Sequence, residues 1–423
     1  MGVVSTLRNR GFIYQTTHDE QELDHYFSTP RTYYVGFDPT ADSLHVGSLV
    51  PIMAMAHLQA AGHRPIAIIG GGTARVGDPS GKTEMRKMLD DGTIDANELG
   101  IAEQLGRYLK IDGSAGLVRN NKDWLVPMGY IQFLRDVGVH FSVNRMLTAE
   151  SVRSRLETGL SFIEFNYMLL QAYDFYVLLR DEGCTVQMGG QDQWGNIVAG
   201  IDLCRRMGLE EQAYGITFPL ITNSSGAKFG KSEQGNIWLD ASRTSPLDFY
   251  QFWRNVEDSD VRRFLLLFTF LPIDEIDDIC RRNVNRGKEI LGFEATRITH
   301  GSAFAHEAYA TAVTRFGSAD PNGEVPTTSE ITSVAVKQSV SMPELTISST
   351  DAQSLTWTQL LVKAELASSN SDARRLVRGG GARWDDHVIE DSESLVSSRF
   401  SSEDRFILRA GKKRFMAIRI AKC

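Results

Sequence analysis

The sequence predicts an α/β fold built on a mainly parallel sheet, and three features predict it. Strand-like and helix-like segments alternate through the first half of the chain. The strand-like runs are apolar and close on glycine-bearing loops, as strands buried on both faces do. Strand, crossover helix and strand also recur within about forty residues, the span of a βαβ unit.

Residues 31–37, rich in Tyr and Val, run into Gly36-Phe37-Asp38-Pro39 and read as a strand entering a loop. Residues 49–61 form an apolar helix stopped by Gly62, with Pro51 tolerated in its first turn. Residues 65–69 are a continuous apolar strand closed by Gly70-Gly71-Gly72. A second unit comprises a helix over 162–180, a short strand over 185–188, a Gly189-Gly190 turn and a helix from about Trp194. Ligands of such sheets sit at the carboxyl ends of the strands. Residues 246–316 become helical, and 317–351, heavy in Ser, Thr and Pro, read as a linker.

At roughly 150 residues per domain, 423 residues predict two or three domains. The 45 basic and 53 acidic side chains leave a net charge of −8, which argues against a surface that coats nucleic acid throughout. The charge is unevenly placed. Residues 352–423 hold 13 basic and 9 acidic side chains against 32 and 44 in the preceding 351 residues, so a basic module follows the linker. The longest apolar stretch, 264–273, is about half the ~20 residues of a membrane-spanning helix. The N-terminus lacks an apolar leader, and its fit to the short myristoylation pattern is degenerate. Cys184, Cys204, Cys280 and Cys423 have no paired spacing and read as reduced cytoplasmic thiols. The sequon at Asn223 is then coincidental.

Two segments imitate a phosphate-binding loop, Gly77 to Thr83 and Gly226 to Ser232, but each has three residues between its glycines where four are needed. His306-Glu307 starts a zinc-protease pattern that Ala310 breaks, so no protein-held metal is expected.

Three constellations carry chemistry. The loop after the first strand delivers His45-Val46-Gly47-Ser48 onto a helix start, where unpaired amides and a partial positive charge suit a phosphate. Gly47 removes a side chain that would keep a purine or ribose from the backbone. Tyr167, Gln171 and Asp174 recur at i, i+4 and i+7 and share one face of a largely apolar helix. Such a face is either solvated or the wall of a pocket that hydrogen-bonds a polar small molecule. Lys228 and Lys231 flank Gly230 in Lys228-Phe229-Gly230-Lys231-Ser232, a segment able to close over a polyphosphate or simply to remain a solvated basic loop.

Together these pieces resemble class I aminoacyl-tRNA synthetases. His45–Ser48 is similar to their HIGH signature and Lys228–Ser232 to their KMSKS signature. The runs 36–45, 77–81, 171–175 and 189–196 narrow the resemblance to the bacterial-type tyrosyl-tRNA synthetases, over nearly the whole chain. It implies a Rossmann-like catalytic domain over 1–225 and an α-helical anticodon-side domain with the lysine signature over 226–316. A linker over 317–351 and a small α+β RNA-binding domain over 352–423 would follow. The implied reaction joins L-tyrosine to ATP, releases pyrophosphate, and passes the tyrosyl group to tRNA(Tyr), with Mg2+ arriving on ATP. A cytoplasmic homodimer is also implied.

By this resemblance Gly36, Asp38, Thr40, His45, Gly47, Ser48, Gly190, Asp192, Lys231 and Ser232 would bind ATP. Lys228 and Lys231, with Lys82 and Arg86 from a nearby loop, would act on the phosphates. Tyr34 and Asp174 would bind the phenolic hydroxyl, Tyr167, Gln171 and Asp78 the α-ammonium, and Gln193 would lie near the carboxylate. Ser48 stands where the family signature often has His, keeping a hydrogen-bonding group without positive charge. The tail resembles a small ribosomal RNA-binding module, with Arg374, Arg375, Arg378, Arg383, Lys412, Lys413 and Arg414 as phosphate contacts. Its usual Val-Asn-Gly turn is replaced by Trp384-Asp385-Asp386. Two other readings stand beside this one, a tryptophanyl-tRNA synthetase and a catalytically idle RNA-binding relative. Tyr34 with Asp174 suits a phenol better than an indole, and the intact lysine signature argues against idleness.

Overall fold

The computed structural model describes the chain apart from residues 1, 81–88, 157–158, 223–228, 233–234, 336–343, 386, 397–404, 412–413 and 422–423. At 150–151, 154, 231–232, 405 and 421 it describes the backbone alone. Two compact units result, Met1–Thr311 with Ser318–Ala335, and Ala312–Gly317 with Val336–Cys423.

The first unit holds a six-stranded sheet of β1 (Gln15–Thr16), β2 (Thr32–Phe37), β3 (Arg64–Ile69), β4 (Leu117–Asn120), β5 (Cys184–Gly190) and β6 (Tyr214–Phe218). Their spatial order is β1-β6-β5-β2-β3-β4, parallel except for β1 against β6. From β2 the chain continues to β3 on one side, whereas β5 lies on the other. The order therefore reverses between β2 and β5, and the loops leaving these strands diverge into a crevice at their carboxyl ends. The crossover helix Leu49–Ala60 is apolar on all sides because it is buried on all sides, with Leu49, Ile52, Met55 and Leu58 in the core.

Two local expectations are corrected. The helix expected over 162–180 is a short turn, Phe162–Phe165, followed by Tyr167–Glu182. Ser161 and Glu164 form a reciprocal cap that starts the turn locally, and the Asn166 side chain bonds back to the Phe162 carbonyl at 2.6 Å. On one unbroken helix Phe162 would share the core-facing side of Leu169, Ala172 and Phe175; it is 69% exposed, whereas those three are buried. Gly189 and Gly190 form no turn. They extend β5, paired with Thr217 and Phe218 of β6, because the parallel ladder holds them extended.

The helices Pro246–Arg254, Asp258–Phe268, Ile273–Arg282 and Val284–His300 complete this unit. Buried Arg10 ties the N-terminal helix Val3–Arg10 to the carbonyls of Leu266, Thr269 and Leu271 at 2.6–3.1 Å. The Lys231–Ser232 backbone forms β7 and pairs with β8, Gly235–Asn236.

The second unit holds a sheet of β9 (Glu344–Ser348), β10 (Ala382–Trp384), β11 (His387–Val388), β12 (Arg405–Ala410) and β13 (Arg414–Ala421), in the order β11-β10-β12-β13-β9. The helix Trp357–Lys363 packs on it through Trp357, Leu360 and Leu361, and the helix Asn370–Arg378 through Ala373 and Val377. Of the stretch read as a linker, Ser318–Ala335 folds with the first unit and Glu344–Ser348 is a strand of the second. Asp385 turns the β10–β11 hairpin at φ 46°, its carboxylate accepting from the Ile407 amide at 2.9 Å. Among the described residues no helix is long and apolar enough to cross a membrane.

Candidate active site

The crevice between β2 and β5 opens into a cavity of about 600 Å³. The ends of β2 and β5 and the loop after β3 supply Tyr34, Gly36, Asp38, Gly70, Gln187 and Gly190 to its wall. The helix Tyr167–Glu182 adds Tyr167, Gln171 and Asp174, so the polar stripe faces the cavity and not solvent. Thr40, His45, Gly47, Ser48, Asp78, Asp192 and Gln193 complete the predicted set. Lys82, Arg86 and Lys228 lie outside the described residues, as do the side chains of Lys231 and Ser232.

At the deep end Asp174 is 3% exposed. It accepts from Asn121 Nδ2 at 2.9 Å and from Trp124 Nε1 at 2.7 Å. Burial pushes its carboxyl up to about 7; those two donors pull down, and the Asp38 charge adds to the rise. The buried Tyr34 hydroxyl has no hydrogen-bond partner among the described residues. Burial first, and then the nearby Asp174 charge, raise its pKa well above the usual phenol value, so it remains a donor. This end therefore offers one acceptor, Asp174, and one unspent donor, Tyr34.

Nearer the mouth, acceptors dominate. The Tyr167 hydroxyl donates to Asp38 Oδ2 at 2.9 Å, leaving its own oxygen as an acceptor. Gln193 donates to Asp78 Oδ2 at 2.7 Å, and Asn196 donates to Gln171 Oε1 at 2.8 Å and to Gln193 Oε1 at 3.0 Å. Tyr167, Gln171 and Asp78 all line the cavity, and each carries an oxygen able to accept a further hydrogen bond, which suits an ammonium. Thr73 bridges the two ends: it donates to Asp38 Oδ1 at 2.8 Å and accepts from Asn121 at 3.0 Å.

On the other flank His45 caps the 3₁₀ turn Val46–Ser48, its Nδ1 accepting from the Gly47 amide at 3.0 Å. A nitrogen that accepts carries no proton, so the ring proton sits on Nε2. A Cβ on Gly47 would lie 2.6 Å from His45 Cε1. The glycine therefore makes room for the imidazole, a nearer reason than room for a purine. The loop ahead of His45 is held by the helix Asp91–Tyr108. Asn97 donates to the Pro39 carbonyl at 3.0 Å, and Gln104, 1% exposed, accepts from the Leu44 amide at 2.9 Å.

Sequence reasoning gave no role to Asn121, Trp124, Thr73, Asn196, Asn97 or Gln104; of these, Asn196 alone falls in one of the runs that carry the resemblance, 189–196. Asn97 and Gln104 carried a signal, polar residues seven apart on the helix face that also bears Ile101. In the second unit, Arg374, Arg375, Arg378, Arg383 and Arg414 are exposed, with Arg374 paired to Glu393 and Arg375 to Asp372. Exposed Arg409 is the cross-strand partner of Arg383 and adds to this basic surface. Lys412 and Lys413 lie outside the described residues.

Comparison with known proteins places these features in context. Residues 28–317 match the family model of tRNA synthetases class I (W and Y), and 335–418 match that of the tyrosine–tRNA ligase SYY-like C-terminal domain. The chain is 52% identical to a tyrosine–tRNA ligase of Desulfosudis oleivorans over the full length of both. It is 44% identical to one of Caldanaerobacter subterraneus over 98% of each. Among solved structures, a C-terminally truncated mitochondrial tyrosyl-tRNA synthetase of Aspergillus nidulans matches with a TM-score of 0.67 and 31% identity, over 74% of this chain and 94% of that one.

Proposed function

Since the chain belongs to the class I tRNA synthetases of the tryptophan and tyrosine family, we infer that it is a tyrosine–tRNA ligase. A carboxylate oxygen of tyrosine attacks the α-phosphorus of ATP, the bond to the bridging oxygen breaks, and pyrophosphate leaves. The terminal ribose hydroxyl of the tRNA then attacks the tyrosyl carbonyl and releases AMP. The chain supplies no nucleophile to either step, so positioning and charge stabilisation do the catalysis.

The observation that carries the choice of amino acid is the buried pair of Tyr34, with an unpartnered hydroxyl, and Asp174. A phenolic hydroxyl donates to Asp174 and accepts from Tyr34 at once. An indole N–H only donates and would leave the Tyr34 hydroxyl buried without a partner, at a cost of about 1–3 kcal/mol. Tyr167, Gln171 and Asp78 hold the ammonium, and Gln193 steers the carboxylate toward the phosphate. Asp38, Thr40, His45, Ser48, Gly190 and Asp192 take ATP, with His45 Nε2–H directed to phosphate oxygen. Lys82, Arg86, Lys228 and Lys231 neutralise the leaving pyrophosphate. Asp38, Asp78 and Asp174 already accept hydrogen bonds from protein groups. Magnesium therefore fits ATP's own phosphates better than a protein cage.

The basic arginines of the second unit grip tRNA phosphates, and the helices from Pro246–Arg254 to Val284–His300 face the anticodon side. An apolar groove lined by Leu134, Val139, Val143 and Phe162, all exposed, supports a homodimer. The reduced buried thiols Cys184 and Cys204 fit the cytoplasm. Incubating the purified chain with ATP, tyrosine and tRNA(Tyr) tests the function. Tyrosyl-adenylate followed by tyrosyl-tRNA is the expected product sequence, and formation of neither refutes it.

A further inference from the structure

The ATP flank of the cavity is closed by a segment that no motif marks. Residues 237–239 pair with the His45 loop: Val46 N donates to the Ile237 carbonyl at 2.9 Å and Leu239 N to the Leu44 carbonyl at 2.8 Å. Trp238 lies opposite His45, ring centroids 6.2 Å apart and nearly perpendicular, and both line the cavity. The chain then turns back on itself. Asp240 accepts from the Ser242 amide and hydroxyl at 2.7 and 2.6 Å, and Thr244 Oγ1 accepts from the Trp238 amide at 3.0 Å. This turn places the Arg243 guanidinium over the Trp238 ring, its central carbon 3.5 Å from the ring centre, and into an ion pair with Asp42. Asp42 belongs to the loop that delivers His45. One guanidinium therefore joins both sides of the ATP flank, on one side by stacking and on the other by charge.

We propose that Arg243 is a positioning residue for the ATP step, clamping Trp238 against the His45 loop through Asp42. It does not line the cavity; it fixes the ring that borders the imidazole. The segment it clamps is continuous with the lysine signature, since the Ile237 amide bonds to the Gly230 carbonyl at 3.0 Å. The clamp thus holds the two signature segments in one register. This inference rests on the ATP-dependent tyrosine activation proposed above.

The test measures KM for ATP and for tyrosine by pyrophosphate exchange, together with equilibrium binding of ATP alone, in wild type, Arg243→Ala, Arg243→Lys, Asp42→Asn and the Arg243→Ala/Asp42→Asn double variant. A half-exposed ion pair and a stacked cation predict a rise of about three- to tenfold in the ATP constants of Arg243→Ala. KM for tyrosine, set at Tyr34 and Asp174, stays unchanged. Arg243→Lys keeps the charge toward Asp42 but loses the planar face, and recovers part of the loss. Asp42→Asn in the Arg243→Ala background adds nothing further. Unchanged ATP constants in Arg243→Ala, an equal shift in the tyrosine constant, or full additivity in the double variant would each overturn the clamp. If wild type shows no tyrosine-dependent exchange, the tyrosine reading falls and the clamp is judged on ATP binding, which uses no amino acid.

Discussion

Replacing Trp124 with Phe removes a single hydrogen bond from the site while keeping an aromatic ring in place. Trp124 Nε1 donates to Asp174 Oδ1 at 2.7 Å, and without it Asn121 is the remaining donor described for a carboxylate that is 3% exposed. With both donors Asp174 stands at about 7, so at pH 7.5 about three-quarters of it is ionised. A hydrogen bond to a buried charge contributes about 1.5–3 kcal/mol, which is about one to two pKa units upward when it is lost. At pH 7.5 the ionised fraction of the variant then falls about three- to twentyfold, and KM for tyrosine rises by a similar factor. The signature is rescue by pH. Pyrophosphate exchange followed from pH 6.5 to 9 shows the variant approaching wild type at the alkaline end, with its acidic limb moved up by about one to two units. A ratio of tyrosine KM values that does not vary with pH would refute the assignment of Asp174 as the acceptor, since a purely steric loss carries no proton.

Further outcomes follow from the same geometry. Asp174→Asn sharply weakens tyrosine activation, and near-wild-type exchange would remove Asp174 from the pocket. The same variant alters stability with a defined sign. The folded wild type keeps the Asp174 proton up to about pH 7 while the unfolded chain loses it near pH 4, so ligand-free wild type loses stability as pH rises through that window. Relative to wild type, Asp174→Asn gains on the order of 4 kcal/mol between pH 4 and 7 and no more above it, measurable by urea unfolding; an unchanged difference would count against the raised pKa. Gly230→Ala places a Cβ 2.6 Å from Val46 Cγ2 at φ +88°, so KM for ATP rises while tyrosine binding holds; unaltered ATP kinetics would contradict this packing. A chain ending at Ala335 keeps adenylate formation and loses tRNA charging, and undiminished charging would exclude the second unit from tRNA binding.

Legibility in the sequence followed locality. The continuous apolar run of β3, closed by glycines, and the Tyr167, Gln171 and Asp174 stripe at a period of 3.6 residues are local signals, and both elements are where those signals place them. The partners of Asp174 could not be read this way. Asn121 and Trp124 sit some fifty residues away after β4, and nothing in their neighbourhood marks them until the sheet brings β4 beside β3. Gly47 showed a different case: the sequence marks the glycine, but the close neighbour a Cβ would meet is the imidazole two residues earlier, not a purine. The exposed Phe162 belongs to the same lesson, because a helix phase read through the break at Asn166 assigns it to the wrong face.

In the proposed function Tyr34 and Asp174 satisfy a phenolic hydroxyl from both sides. Pyrophosphate exchange by the wild-type chain with tyrosine, tryptophan, phenylalanine and no amino acid tests this most directly. Exchange with tyrosine alone is expected, with phenylalanine lower by orders of magnitude in kcat/KM. Comparable exchange with tryptophan or phenylalanine, or none with tyrosine, would contradict it.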